Sequence, residues 1–311
     1  MLPDYAESFL NDLYLEGLKL SSVKRYHDDL LIFFIWLNNN HKSPDLYAIK
    51  ELNGDEIEEY IQYLFDKNYS TDTIRRLIVV LNRFFYYFMI KSPPQLSQPP
   101  VPSKRDLIDT DFVSEQDMNK LYSSMKRQFD MSPGLALTAR NRLIDRNISI
   151  VYLIRLYGLT PADIHSIDMN NVNFAQSAIT VNQRIITLSS EHIGVILRYF
   201  NDIPEALRPR YRTQDPLFVA YYNSKSEYRF DYRLGHPSRL SIRSIQHMIQ
   251  SEVSLAGLRR ITATNLRNTC ILEMIKSGMS EEELVHFFGF KNGYSINRYK
   301  KYLNSLPNHK C

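Results

Sequence analysis

The residue types that stand out for chemistry in this sequence are its cations, and the chemistry they favour is a grip on a polyanion. Across 311 residues there are 38 Lys and Arg against 34 Asp and Glu, a formal net charge of +4. The imbalance is uneven. Residues 1–103 hold 10 basic against 14 acidic side chains, whereas residues 104–311 hold 28 against 20, so the second half should carry most of the attraction. Other chemistries find little support. Cys270 and Cys311 are far apart and lack metal-ligand spacing, and His286 has no partner at such spacing. With only 10 glycines, no glycine-rich loop is present to cradle a nucleotide phosphate. Tyrosine, a nucleophile once deprotonated, occurs 21 times, and Tyr294, Tyr299 and Tyr302 share the last helical stretch. No metal and no cofactor is expected.

The elements that must position these residues fall into two blocks. At 44% hydrophobic and 23% charged residues, a chain of this length can bury two cores. Five prolines in the thirteen residues from Lys91 to Ser103 exclude a helix and favour an extended linker. We therefore divide the chain into a helical domain 1–92, a Pro-rich linker 93–108 and a second domain 109–311. Before the linker, apolar residues recur at helical spacing, as in Phe9, Leu10 and Leu13 or Ile74, Leu77, Ile78 and Leu81. Ser21 or Ser22, and Ser70 or Thr71, fit as N-caps, which gives a bundle of about four helices. After the linker, Ser114-Glu115-Gln116-Asp117 opens a helix in the manner of a capping box, and 141–157 form one long helix. Strands follow near Val172-Asn173-Phe174, Ile179-Thr180-Val181 and Arg184 to Leu188. Helices resume at about 190–200, 240–252, 265–277, 280–288 and 293–303, with 206–238 as loop. The fold class is thus multidomain α with a small antiparallel sheet. The longest apolar run, Leu30 to Leu37, is too short to cross a bilayer, and no signal peptide precedes it. Sparse cysteine fits a reducing cytosol.

The order of these landmarks resembles the tyrosine recombinases, or phage integrases. Gly17, then Ser21-Ser22-Val23 and Tyr26, followed by Ser70 to Ile74 and an aromatic helix end, are similar to that family's SAM-like core-binding domain. Tyr157-Gly158-Leu159-Thr160-Pro161-Ala162-Asp163 stands at its Gly-Leu-Arg box. Thr264-Asn265-Leu266-Arg267-Asn268-Thr269, then Gly278, Phe288-Gly289-Phe290 and Tyr299, follow its second box. The resemblance covers nearly the whole chain. It implies a tyrosine that attacks a DNA phosphate, two arginines that hold the non-bridging oxygens, and a lysine and two His/Trp-type residues for protons and hydrogen bonds. Carried over, most of that set is missing. Thr160 replaces the first arginine, Thr264 the first histidine and Phe290 the histidine near the end. Asn268 replaces the histidine after the retained Arg267, and the hairpin around Asn182-Gln183 has no lysine. Tyr299 stands at the nucleophile's spacing. Arg155, one helical turn before Thr160, is a candidate partial substitute for the lost arginine.

The resemblance further implies two domains closing around duplex DNA, held largely at phosphates. By position the contacts are Ser22, Lys24, Arg25, Arg75, Arg76, Arg83, Lys104, Arg105, Arg243, Arg259, Arg260 and Arg267. Acidic Glu51, Asp55, Glu56, Glu58 and Glu59 should face away. The expected function is sequence-specific binding of double-stranded DNA without strand cleavage, similar to the reduced recombinase fold that serves SPβ-type phages as a lysogeny repressor. The alternative is a divergent active integrase with Tyr299 as nucleophile. A regulatory protein or peptide is a further partner to expect, and the setting is the cytoplasm.

Overall fold

The computed structural model describes residues 1–91, 105–127, 135–290 and 292–306. Most of the Pro-rich linker lies outside these. The chain divides into two compact units, Met1–Arg105 and Asp106–Cys311.

The first unit is a helical bundle: α1 Asp4–Leu15, α2 Leu20–Asn39, the short α3 Leu46–Lys50, α4 Gly54–Asp66 and α5 Thr71–Tyr87. Ser70 caps α5 by accepting from the Thr73 amide, as its position predicted. The Ser21 or Ser22 cap does not form. Helix α2 starts earlier, at Leu20, behind Lys19, which makes no side-chain cap bond. Asn53 and Glu56 instead supply a full capping box for α4. The apolar stripes of these helices meet in an aromatic core in which Phe9, Phe33, Trp36, Tyr60, Phe84 and Phe85 are at most 2% exposed. Edge-to-face pairs such as Phe9–Phe84 (5.4 Å) and Phe33–Tyr60 (5.2 Å) fix their mutual orientation.

The second unit wraps helices around a buried one. It runs α6 Glu115–Lys126, α7 Leu135–Arg142, α8 Ile144–Arg155, α9 Pro161–Ser166, the antiparallel sheet β1 Val172–Asn173, β2 Ala178–Val181 and β3 Arg184–Thr187, then α10 Ser190–Asp202. Helices α11 Ile242–Leu255, α12 Ala263–Lys276, α13 Glu281–Phe288 and α14 Tyr294–Ser305 complete it. Ser114 caps α6. The single helix expected over 141–157 is in fact split at Leu143 between α7 and α8. Every residue of α8 from Arg146 to Arg155 is buried, which makes it the axis of the unit. Its Asn147 donates to one Glu252 oxygen of α11 at 3.0 Å, while Arg140 of α7 donates to the other at 2.8 and 3.1 Å.

Two local features differ from, or sharpen, the sequence expectation. Val181 pairs with Arg184, so Asn182-Gln183 form a two-residue turn, and their φ of 48° and 65° are the signs a primed hairpin turn requires. Residues 206–238, expected as loop, contain two hairpins, β4 Tyr221–Tyr222 with β5 Glu227–Tyr228 and β6 Phe230–Asp231 with β7 His236–Pro237. Strands of two residues are too short to leave an alternating pattern. Among the described residues, no helix is long and apolar enough to cross a membrane.

Candidate active site

The positions singled out by the two sequence boxes do come together in the second unit. Thr160 is the N-cap of α9, with Pro161 in the first helical position. Its hydroxyl accepts from the Asp163 amide (3.0 Å) and donates to the Asp163 carboxylate (2.8 Å), so it is committed to the cap. Asp163 also accepts from Asn182 of the β2–β3 turn at 2.8 Å, tying that turn to α9. Arg184 leaves the same hairpin to donate to the Phe287 carbonyl at the end of α13.

Arg267 on α12 sits at the centre, half-buried and held from within. Its Nε donates to the Gly158 carbonyl at 2.6 Å and its Nη2 to the Phe288 carbonyl at 3.1 Å. The guanidinium lies over the rings of Phe288 (5.6 Å) and Phe290 (5.3 Å), which stack on each other at 5.5 Å. Burial pulls its pKa below the ordinary guanidinium value, with Asp163 opposing. Phe288 reaches this place because Gly158 has no side chain: a Cβ there would stand 2.2 Å from the ring, and the φ of +65° is itself a glycine conformation. The aromatic pair thus occupies space beside the one retained arginine.

Tyr299 is 5% exposed and donates to the Asn268 side-chain oxygen at 2.7 Å. The Asn268 amide in turn donates to the Asp111 carbonyl at 3.3 Å. Burial raises the phenol pKa, with Arg298 and Arg267 lowering it, so the phenolate is disfavoured in this setting. Thr264 is exposed in the first turn of α12. Arg155, the expected partial substitute for an arginine at Thr160, is bound to Glu273 on α12 (2.7 Å). The cluster therefore holds a protonated, hydrogen-bonded tyrosine and an arginine engaged with two carbonyls. The second guanidinium of the cluster, that of Arg184, is likewise engaged, donating to the Phe287 carbonyl.

The expected phosphate contacts separate into exposed and engaged groups. In the first unit, Lys24, Arg25 and Arg75 are exposed, and Ser22 is half-buried in the first turn of α2. Arg76 is engaged otherwise: it makes a bidentate pair with buried Asp29, at 3.0 and 2.8 Å. Arg83 lies 3.7 Å from Glu16 and over the Tyr26 ring. Glu51, Asp55, Glu58 and Glu59 are exposed on and just before α4, and Glu56 is bound to Lys42. Arg105, the last residue of the first unit, is exposed. Lys104 lies outside the described residues. In the second unit, Arg243 and Arg260 are exposed, whereas Arg259 is tied to the carbonyls of Thr110 (3.0 Å) and Phe112. Missed in the sequence were Arg184, whose role depends on a partner 103 residues away, and the basic hairpin residues Lys225 and Arg229.

Residues 111–305, well over half the chain and the whole of this cluster, match the phage integrase family. The chain belongs to that family. The tyrosine recombinase XerC of Staphylococcus carnosus is 24% identical over 320 residues, covering 97% of this chain and 96% of its own length. XerC of Staphylococcus haemolyticus is 22% identical over the same length. In fold the chain is similar to the XerH site-specific recombinase bound to difH substrate, with a TM-score of 0.65 at 14% identity, over 97% of this chain and 83% of that one. It is also similar to a lambda integrase dimer bound to a COC' core site, with a TM-score of 0.60 at 12% identity, over 94% and 93%. The mainly helical architecture with small antiparallel sheets is the integrase arrangement of core-binding and catalytic-type domains.

Proposed function

We propose that this integrase-family protein binds double-stranded DNA in a sequence-specific way without cutting it, and acts as a transcriptional repressor of the phage or prophage kind. The observation that carries the reading is the closed cluster: Tyr299 hydrogen-bonded to Asn268, and Arg267 held by two carbonyls beneath Phe288 and Phe290. Removing one preorganised donor from a transition-state oxyanion costs about 3–4 kcal/mol, and Thr160, Thr264 and Phe290 stand at three such positions. Binding makes no such demand, because phosphate contacts need only accessible cations. Exposed Lys24, Arg25, Arg75, Arg243 and Arg260 are the contacts this reading assigns, with Ser22 beside them. A fold neighbour, the Tn1549 transposon integrase in complex with transposon right end DNA, supports DNA as the partner. A cytoplasmic setting and a regulatory protein or peptide that releases the DNA complete the reading.

A second reading has its own support. Relatives matched over 96% of their length are tyrosine recombinases, and this reading sets Tyr299 as nucleophile with Arg267 beside it. In that reading α14 shifts on DNA and frees Tyr299 to attack as in a divergent integrase.

A nicked suicide substrate carrying the bound site separates the two. The binding reading expects no covalent adduct. An adduct that disappears in Tyr299→Phe would establish the recombinase instead. A reporter driven by the bound promoter tests repression, which is refuted if transcription does not change.

A further inference from the structure

We propose that the β4–β5 hairpin is an additional grip on the DNA backbone, working with the first turn of α11. This rests on the DNA-binding reading above and adds residues that it does not use.

The first ground is charge left open. Several guanidinium groups of the second unit are occupied by carboxylates: Arg140 by Glu252, Arg155 by Glu273, Arg239 by Asp168 and Arg210 by Asp215. Among the described residues, no carboxylate pairs with Arg229 or Arg243. Both line one recess of about 600 Å³ between the hairpin and α11, with Tyr221, Ser244 and His247. The only carboxylate of that recess is Glu252, which is bound to Arg140 and Asn147. A concave surface lined by unneutralised cations focuses positive potential and draws anions toward itself.

The second ground is rigidity. The Arg229 amide donates to the Ala220 carbonyl, Ala220 to Ser238 and Ser238 to Arg229, each at 2.8 Å, and Leu240 donates to Phe218 at 2.9 Å. These bonds join the hairpin to the strand that leads into α11, so a partner docked on Arg243 meets Arg229 in a fixed place. The Tyr222 ring, itself exposed, lies under Arg229 at 4.5 Å and Lys225 at 5.4 Å. Stacking pre-orders both heads, and less side-chain entropy is then lost on contact with a phosphate. Lys225, Arg229 and Arg243 are all exposed and spread over two elements, which suits a chain of phosphates better than a single point charge.

The test is fluorescence anisotropy of the full chain on duplex DNA over a series of KCl concentrations, with inorganic pyrophosphate titrated in parallel. Lys225→Ala and Arg229→Ala should each weaken DNA binding severalfold and reduce the salt slope by about one, while Arg229→Lys keeps the slope. Unchanged affinity and slope in both alanine variants would overturn the proposal. So would a loss of affinity with an unchanged slope, which marks a packing effect. Loss of pyrophosphate binding with DNA binding intact would overturn it in favour of a small-anion pocket. If the unsubstituted protein binds no duplex at all, the DNA-binding reading itself falls.

Discussion

The Tyr299 hydroxyl donates to Asn268 at 2.7 Å, in a position where the tyrosine is 5% exposed. Asn268 is the residue directly after Arg267, so Tyr299 and Arg267 are both held by the same stretch of α12. One has its hydroxyl turned inward, and the other has its guanidinium held by the carbonyls of Gly158 and Phe288. Side chains that would have to act on a phosphate are instead holding α14 and α13 onto α12.

Tyr299→Phe should therefore be a stability change. The lost bond leaves the Asn268 oxygen short of a donor inside the core, a cost of about 1–2 kcal/mol. Chemical denaturation should register that loss, while DNA affinity stays within a fewfold. A much larger fall in affinity would mean that the phenol touches DNA.

Arg76→Ala should destabilise the first unit. Asp29 is 4% exposed, and its Arg76 partner is the group that compensates the buried charge. Because Arg76 is more than a third exposed, we expect about 2 kcal/mol, below the usual cost of breaking a fully buried pair. Burial already raises the Asp29 pKa above 3.8, with Arg76 lowering it, so removing Arg76 raises it further. A folded pKa above the unfolded one gives stability that is present in acid and lost as pH rises through the folded value. The deficit of the variant should thus widen as pH rises through the folded-state pKa of Asp29, and adding Asp29→Asn should recover part of it. Melting curves across pH check both points.

How far the sequence carried the structure depended on the range of the interaction. Ser70 and Ser114 were legible as caps because a cap and its amide are three residues apart. Cap and register signals compete locally, so Ser21 and Ser22 misled where α2 begins at Leu20. The family boxes placed Thr160, Arg267 and Tyr299 in one cluster, since their order is a property of the chain. What fills the cluster was not legible. Arg267 meets Gly158 across 109 residues and Arg76 meets Asp29 across 47, and neither pairing has a local signature. Arginines that looked equivalent as phosphate contacts were therefore divided by tertiary packing into exposed and engaged.

That division gives a test for the exposed set. Arg75→Ala and Arg243→Ala should weaken DNA binding severalfold and flatten its salt dependence by about one unit each. Arg259→Ala should instead lower thermal stability, because its guanidinium ties the carbonyls of Thr110 and Phe112 to the turn before α12. Anisotropy titrations and melts on the same three variants decide it; equal salt slopes in all three would refute the assignment.

Thr160→Arg restores the residue type that the family places after Gly158-Leu159, yet it should not restore cleavage. The threonine hydroxyl caps α9 through Asp163, and its removal costs about 1 kcal/mol. The new guanidinium would find Phe288 and Phe290 already beside Arg267, with no lysine in the hairpin and Tyr299 still bound to Asn268. A suicide substrate should give no adduct with Thr160→Arg, and none with Thr160→Arg combined with Phe290→His. Adduct formation by either variant would mean that α14 releases Tyr299 on DNA, and the closed cluster would then be a resting state of a recombinase.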